Sequence, residues 1–172
     1  MRIGVRARRW LKGLHVTFGG TLLGAVACML VLSFVGPQHV GRDAAGVSSA
    51  LVLLDVWVVR AAALGVLLSG LCESWLTDWG FFRSRWVTVK LVITLSIVAS
   101  GAIWVSQWLR QMHAVSLTRG IESLVATDYL HYQSLYRTVA LSQLAALIFL
   151  VFVSSLKPWR RGAPAKPRGS RR

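Results

Sequence analysis

The chain reads as an all-α integral membrane protein: a bundle of four transmembrane helices with both ends in the cytoplasm and a disordered basic tail. Three observations lead there. Of 172 residues, 55% are hydrophobic and only 15% charged, and the mean hydropathy is positive at +0.57, a departure from the soluble average toward the membrane class. Four apolar runs reach the roughly 20 residues that a helix needs to cross a bilayer core of about 30 Å. The formal charge of +14 gathers at the two ends: Arg2, Arg6, Arg8, Arg9 and Lys12 at one, and Lys157, Arg160, Arg161, Lys166, Arg168, Arg171 and Arg172 at the other. Basic ends flanking apolar spans are what cytoplasmic topology asks for, so anionic lipid headgroups are the expected polyanionic partner. No recognition motif points to nucleic acid.

Residues 1–13 form a basic arm, followed by "LHVTFGGTLLGAVACMLVLSFVG" over 14–36, which Pro37 stops. This run exceeds the 7–15 residues of a signal-peptide core and has no convincing small-x-small cleavage site, so it is retained as a helix. The second span covers 50–71, "ALVLLDVWVVRAAALGVLLSGL", and the third 87–108. The fourth covers 130–156, beginning ahead of Thr138 because its stripe of small residues continues upstream, and ending at "KPW". Together, residues 14–156 make one membrane domain. The loop over 72–86 carries Arg83 and Arg85 and sides with the basic ends. The connection over 37–49 has Arg42 alone, and that over 109–137 has Arg110, Arg119 and Arg137 spread thinly, so the termini are assigned to the cytoplasm. Trp10, Trp75, Trp79, Trp86, Trp108 and Trp159 fall near span ends, as interfacial anchors do. Residues 157–172, ending "APAKPRGSRR", have no apolar periodicity and read as disordered.

Helices in lipid associate through close packing and hydrogen bonds, which small residues four apart permit. Gly20, Gly24 and Cys28 make such a stripe in the first span, Ala61, Gly65 and Ser69 in the second, and Ser134, Thr138, Ser142 and Ala146 in the fourth. They predict a compact bundle, as a single chain or a homo-oligomer. Cys28 and Cys72, the only cysteines, lie at different depths and are read as small buried residues, not a disulfide.

Ionisable groups inside spans are costly and mark sites or interior bonds. His15, Asp55, Arg60 and Lys90 are of this kind, and the neutral amide Gln143 is a weaker polar candidate. Asp55 and Arg60 stand five apart, about 140° around an α-helix, so they are not expected to pair with each other. His15 and Lys90 sit at matching depth near the inner surface, on helices that run the same way. Two readings stay open: a snorkelling lysine beside an interfacial histidine, or an imidazole and a cation facing one anionic ligand. His39, His113 and His131 fall on the outer side in or beside loops, where three imidazoles could bind a metal such as copper. There is no P-loop, GxGxxG, HExxH or GxSxG, so no catalytic residue is assigned.

"LKGLHVTFGGTLLG" resembles the first helix of the copper-resistance-D-like group of bacterial membrane proteins, with its Leu-His pair followed by Gly-Gly. "LLSGL" followed by "DWGFFRSRWVTVKLVITL" resembles the second-to-third helix hairpin of an uncharacterised branch of that group. The similarity covers residues 11–100. It implies a four-helix fold in a bacterial inner membrane. Related-looking groups are copper-import domains and haem-associated protoporphyrinogen oxidases of the HemJ type, in which a first-helix histidine and a third-helix lysine matter; only His15 and Lys90 carry over. The chain departs from copper handlers in having no methionine-rich run, only Met1, Met29 and Met112, and from the HemJ type in the loop "CESWLTDWGFFRSR".

The expectation is thus a multi-pass inner-membrane protein of unassigned activity with a cytoplasmic-side polar pocket of His15 and Lys90. The alternatives are a haem- or porphyrin-binding redox protein, a copper-handling component using the outer histidines, and a structural or accessory subunit of a membrane complex.

Overall fold

The computed structural model describes residues 4–39, 44–76 and 85–156, and within them every residue except Gly4 and Ala126 is helical. Four rods result: α1 (Val5–His39), α2 (Ala44–Leu76), α3 (Val87–Val125, entered from Arg85) and α4 (Thr127–Leu156). All four are long and apolar enough to cross a membrane, so the all-α, multi-pass, four-helix architecture stands. Each rod packs against its two neighbours in chain order, with α4 closing back on α1. The rods alternate in direction and bring residues 5, 76, 85 and 156 to one end, called here the terminal face.

The rods outrun the spans assigned from hydropathy. α1 starts at Val5, so most of the basic arm is helical. α3 continues to Val125 and α4 starts at Thr127, so helix fills almost all of the long connection expected over 109–137. At about 1.5 Å per residue, the helical run from Val87 to Arg119 reaches about 50 Å, well beyond the hydrocarbon thickness of about 30 Å. Polar residues such as Gln107, Arg110 and Gln111 mask this continuation, because hydropathy reports the solvent around a helix rather than the helix itself. Gly120 ends the regular α-helix of α3 at φ 55°, a backbone that only glycine adopts freely. One 3-10 turn over Gly120–Val125 and the extended Ala126 then reverse the chain. Asp128 in the first turn of α4 complements that helix's dipole and meets Arg119 at 3.5 Å. Both side chains are more than half exposed, so this bridge is worth at most about 1 kcal/mol.

The interior is built from Leu22, Met29, Leu51, Leu109, Met112 and Tyr136, while large apolar residues such as Trp57, Leu64, Val92, Ile103 and Phe152 coat the outside. That inversion of a soluble protein's surface is the one lipid requires. Trp10 and Trp75 are exposed near the terminal face, as anchors should be. The small-residue stripes divide. Gly65 lies against the Phe18 ring and Ser69 is buried, so the α2 stripe forms a seam with α1. Ala146 also packs against the core. Gly20, Gly24, Cys28, Ala61, Ser134, Thr138 and Ser142 instead face outward, and nothing lies within 4 Å of a Cβ placed at Gly20 or Gly24. The reason is that the bulkier Leu22, Val26, Met29 and Leu30 take the inner face of α1. Cys28 and Cys72 are likewise exposed and free, not buried.

α3 is the loosest rod. Only 6% of its most apolar window is buried, against 28% in each of the others. Its first half stands off from α2 and α4 and leaves a space at the terminal face. The tail over 157–172, Trp79, Trp159 and the side chain of Trp86 lie outside the described residues.

Candidate functional site

That space is a cavity of about 590 Å³. α1 contributes Arg8, Lys12 and His15, a spacing of four and three that puts all three on one face. α2 brings Gly70, Glu73 and Ser74, and α3 brings Lys90 and Thr94. Leu11, Val16, Val66, Leu67, Leu71 and Leu91 make the remaining walls largely apolar. His15 and Lys90, matched in the sequence by depth alone, therefore line one cavity. His15 also feels the charges of Glu73 and Lys90. Three cations against one carboxylate give the cavity a net positive lining.

The His15 ring is oriented by α2. Its Nδ1 lies 2.9 Å from Ser69 Oγ, and Ser69 donates its single hydroxyl proton to the Gly65 carbonyl at 2.5 Å. Ser69 Oγ must then accept from Nδ1–H, which leaves the lone pair of the imidazole on Nε2. A Cβ at Gly70 would sit 3.2 Å from His15 Cε1, so glycine there lets the ring lie against the α2 backbone. Lone-pair donor, cations and apolar walls suit an amphipathic anion. Arg8, Lys12 and Glu73 were not singled out from the sequence, although the Arg8, Lys12, His15 spacing could have found the first two.

A second polar centre lies deeper. Asp55, only 4% exposed, accepts from Ser106 Oγ at 2.7 Å and from Arg60 Nη2 at 3.2 Å, both on Oδ2. This corrects the expectation that Asp55 and Arg60 do not pair. Residues Leu54–Val59 form a π turn, in which the backbone N–H of Arg60 bonds to the Asp55 carbonyl. Bonds spaced five apart stack residues that an α-helix would separate. A matching π turn in α3, Gly101–Val105, faces it and ends on Ser106, whose hydroxyl also reaches the Gly101 carbonyl at 3.1 Å. Gln143 joins from α4, donating to Ser100 Oγ at 2.9 Å. Arg137, read from the sequence as a loop charge, donates to the Ser33 carbonyl and covers the Phe34 ring at 4.2 Å, tying α4 to α1.

Of the outer histidines, His113 and His131 each make separate contacts. His113 sits in α3 rather than in a loop, where its Nδ1 lies 3.0 Å from Ser48 Oγ. His131, in α4, is exposed with its ring edge-on to Tyr132. The side chain of His39 lies outside the described residues. Among the described residues, no group of three His, Cys, Asp or Glu side chains is placed to hold a metal ion.

Comparison with protein-family models, curated proteins and solved structures returns no match to this chain.

Proposed function

We propose that this chain is a multi-pass protein of a bacterial inner membrane, its terminal face in the cytoplasm, that binds an anionic tetrapyrrole of the haem class in the His15–Lys90 cavity. The observation that carries the reading is His15, its Nδ1 held by Ser69, in the same apolar-walled cavity as Lys90, Lys12 and Arg8. The volume of about 590 Å³ falls in the range of small-molecule sites. Arg8, Lys12 and Lys90 would meet the ligand's carboxylates, and Leu11, Leu67 and Leu91 would exclude water from its apolar body. Haem bound there supplies one-electron redox chemistry. Ser69 and Gly70 hold the imidazole in one tautomer and orientation, the part that surrounding residues play for a ligating histidine.

The test is the visible absorbance of the detergent-purified protein from a haem-replete host. The wild type shows a Soret band, and His15→Ala loses it while remaining folded. Ser69→Ala keeps the band but binds haem about 10–100-fold more weakly, the usual cost of removing the partner that orients a ligand. A colourless, well-folded wild type that takes up no haem on titration would sink the reading.

A second reading, an accessory subunit or homo-oligomer, is favoured by the outward stripe of Gly20, Gly24 and Cys28, which is open to close approach by another helix. Crosslinking through Cys28 in membranes checks it. The reading requires a crosslinked species that Gly24→Leu abolishes.

A further inference from the structure

The Asp55 centre borders a second cavity of about 260 Å³, roughly the space for one substituted ring, walled by Met29, Val59, Leu64, Ile97 and Val105 among others. Its polar groups are incompletely used. Both bonds to Asp55 fall on Oδ2, leaving Oδ1 without a partner among the described residues. Tyr136 is 1% exposed and lines the cavity, and its hydroxyl makes no bond to another described residue. Buried polar groups are almost always paired, so one acceptor and one donor left over around one cavity call for a molecule that satisfies both. Two bordering side chains reach the outside, Arg60 at 42% and Leu64 at 55% exposure. The cavity therefore opens sideways between α2 and α3, at a depth where the surroundings are lipid rather than water.

We infer that this cavity binds the head of a lipid-soluble quinol. One quinol hydroxyl donates to Asp55 Oδ1, an oxygen of the ring accepts from Tyr136, and a tail leaves past Leu64 into the bilayer. The apolar walls suit the ring, and the free carboxylate oxygen selects the reduced form, since a quinone presents only acceptors and meets Asp55 with a repulsive lone pair. Facing π turns, which recur at functional sites, are what place Asp55 and Ser106 here. The inference does not depend on the tetrapyrrole reading, because the two cavities share no lining residue.

The test titrates duroquinol, kept reduced under argon, and separately duroquinone into the protein in lipid nanodiscs, with empty nanodiscs reporting simple partition. Saturable one-to-one binding of duroquinol above partition is expected, at least about tenfold tighter than duroquinone. Tyr136→Phe weakens it about tenfold, the worth of a neutral hydrogen bond at the upper end of its range. Tyr136→Phe removes a hydroxyl with no protein partner, so its unfolding temperature matches the wild type and reduced binding cannot be blamed on misfolding. Lys90→Met leaves duroquinol binding unchanged. Signal equal to empty nanodiscs, equal affinity for the two redox forms, binding indifferent to Tyr136→Phe, or loss with Lys90→Met would each overturn the inference.

Discussion

Replacing Arg60 with methionine lowers the stability of the bundle, by less than the roughly 3–5 kcal/mol of a pair buried on both sides, because the Arg60 side chain is 42% exposed. The carboxylate that remains is 4% exposed and keeps only the Ser106 hydroxyl as a donor. At this depth it has no water to turn to. The reverse change, Asp55→Leu, costs less. Arg60 is 42% exposed and can extend its stem toward the headgroups, and Ser106 retains the Gly101 carbonyl. The double variant Asp55→Leu, Arg60→Met regains most of what Arg60→Met loses, because it removes the charge together with its partner. Thermal or denaturant unfolding in detergent measures all three. The ordering matters more than the size: a double variant no more stable than Arg60→Met would mean that the pair does not act as a unit, and with it the claim that the π turn exists to pair them would fall.

That pair marks where the sequence stopped being legible. Hydropathy found the four helices, because a span must be apolar along its whole length. An even number of spans puts both ends on one side, and depth matching brought His15 and Lys90 to one level, where they share a cavity. None of these signals carries rotation about a helix axis. The rotation of α2 depends on the π turn at Leu54–Val59, an inserted register shift without a sequence signature of its own. The same blindness to rotation put Gly20 and Gly24 at a seam although they face outward, since spacing of four is satisfied by every stripe of a helix. The extension of α3 beyond residue 108 escaped for a different reason: once outside lipid, a helix has polar side chains and resembles a loop in any hydropathy reading. Glu73, one of only six acidic residues, reaches the first cavity from the end of α2. Its place there depended on how α3 splays away, which no local pattern encodes.

Gly65→Val is expected to destabilise the bundle by about 3 kcal/mol, at the upper end of overpacking costs. A Cβ at this position would lie 2.5 Å from Phe18 Cδ1 and Cγ, well inside the roughly 3.5–4.0 Å of a carbon contact. Phe18 packs against the core and cannot swing clear without α1 and α2 parting. The strain also has a direction. Gly65 accepts the Ser69 proton that fixes the His15 tautomer, and His15 lies three residues from Phe18 on α1, so the damaged seam is the one that aims the imidazole. Phe18→Leu should therefore relieve Gly65→Val, with a coupling energy of at least about 1 kcal/mol in a double-mutant cycle, as contacting residues show. If the two changes simply add, Phe18 is not what Gly65 accommodates. If stability recovers in the double variant and ligand binding at His15 recovers with it, the closeness of α1 and α2 at this glycine sets the geometry of the site.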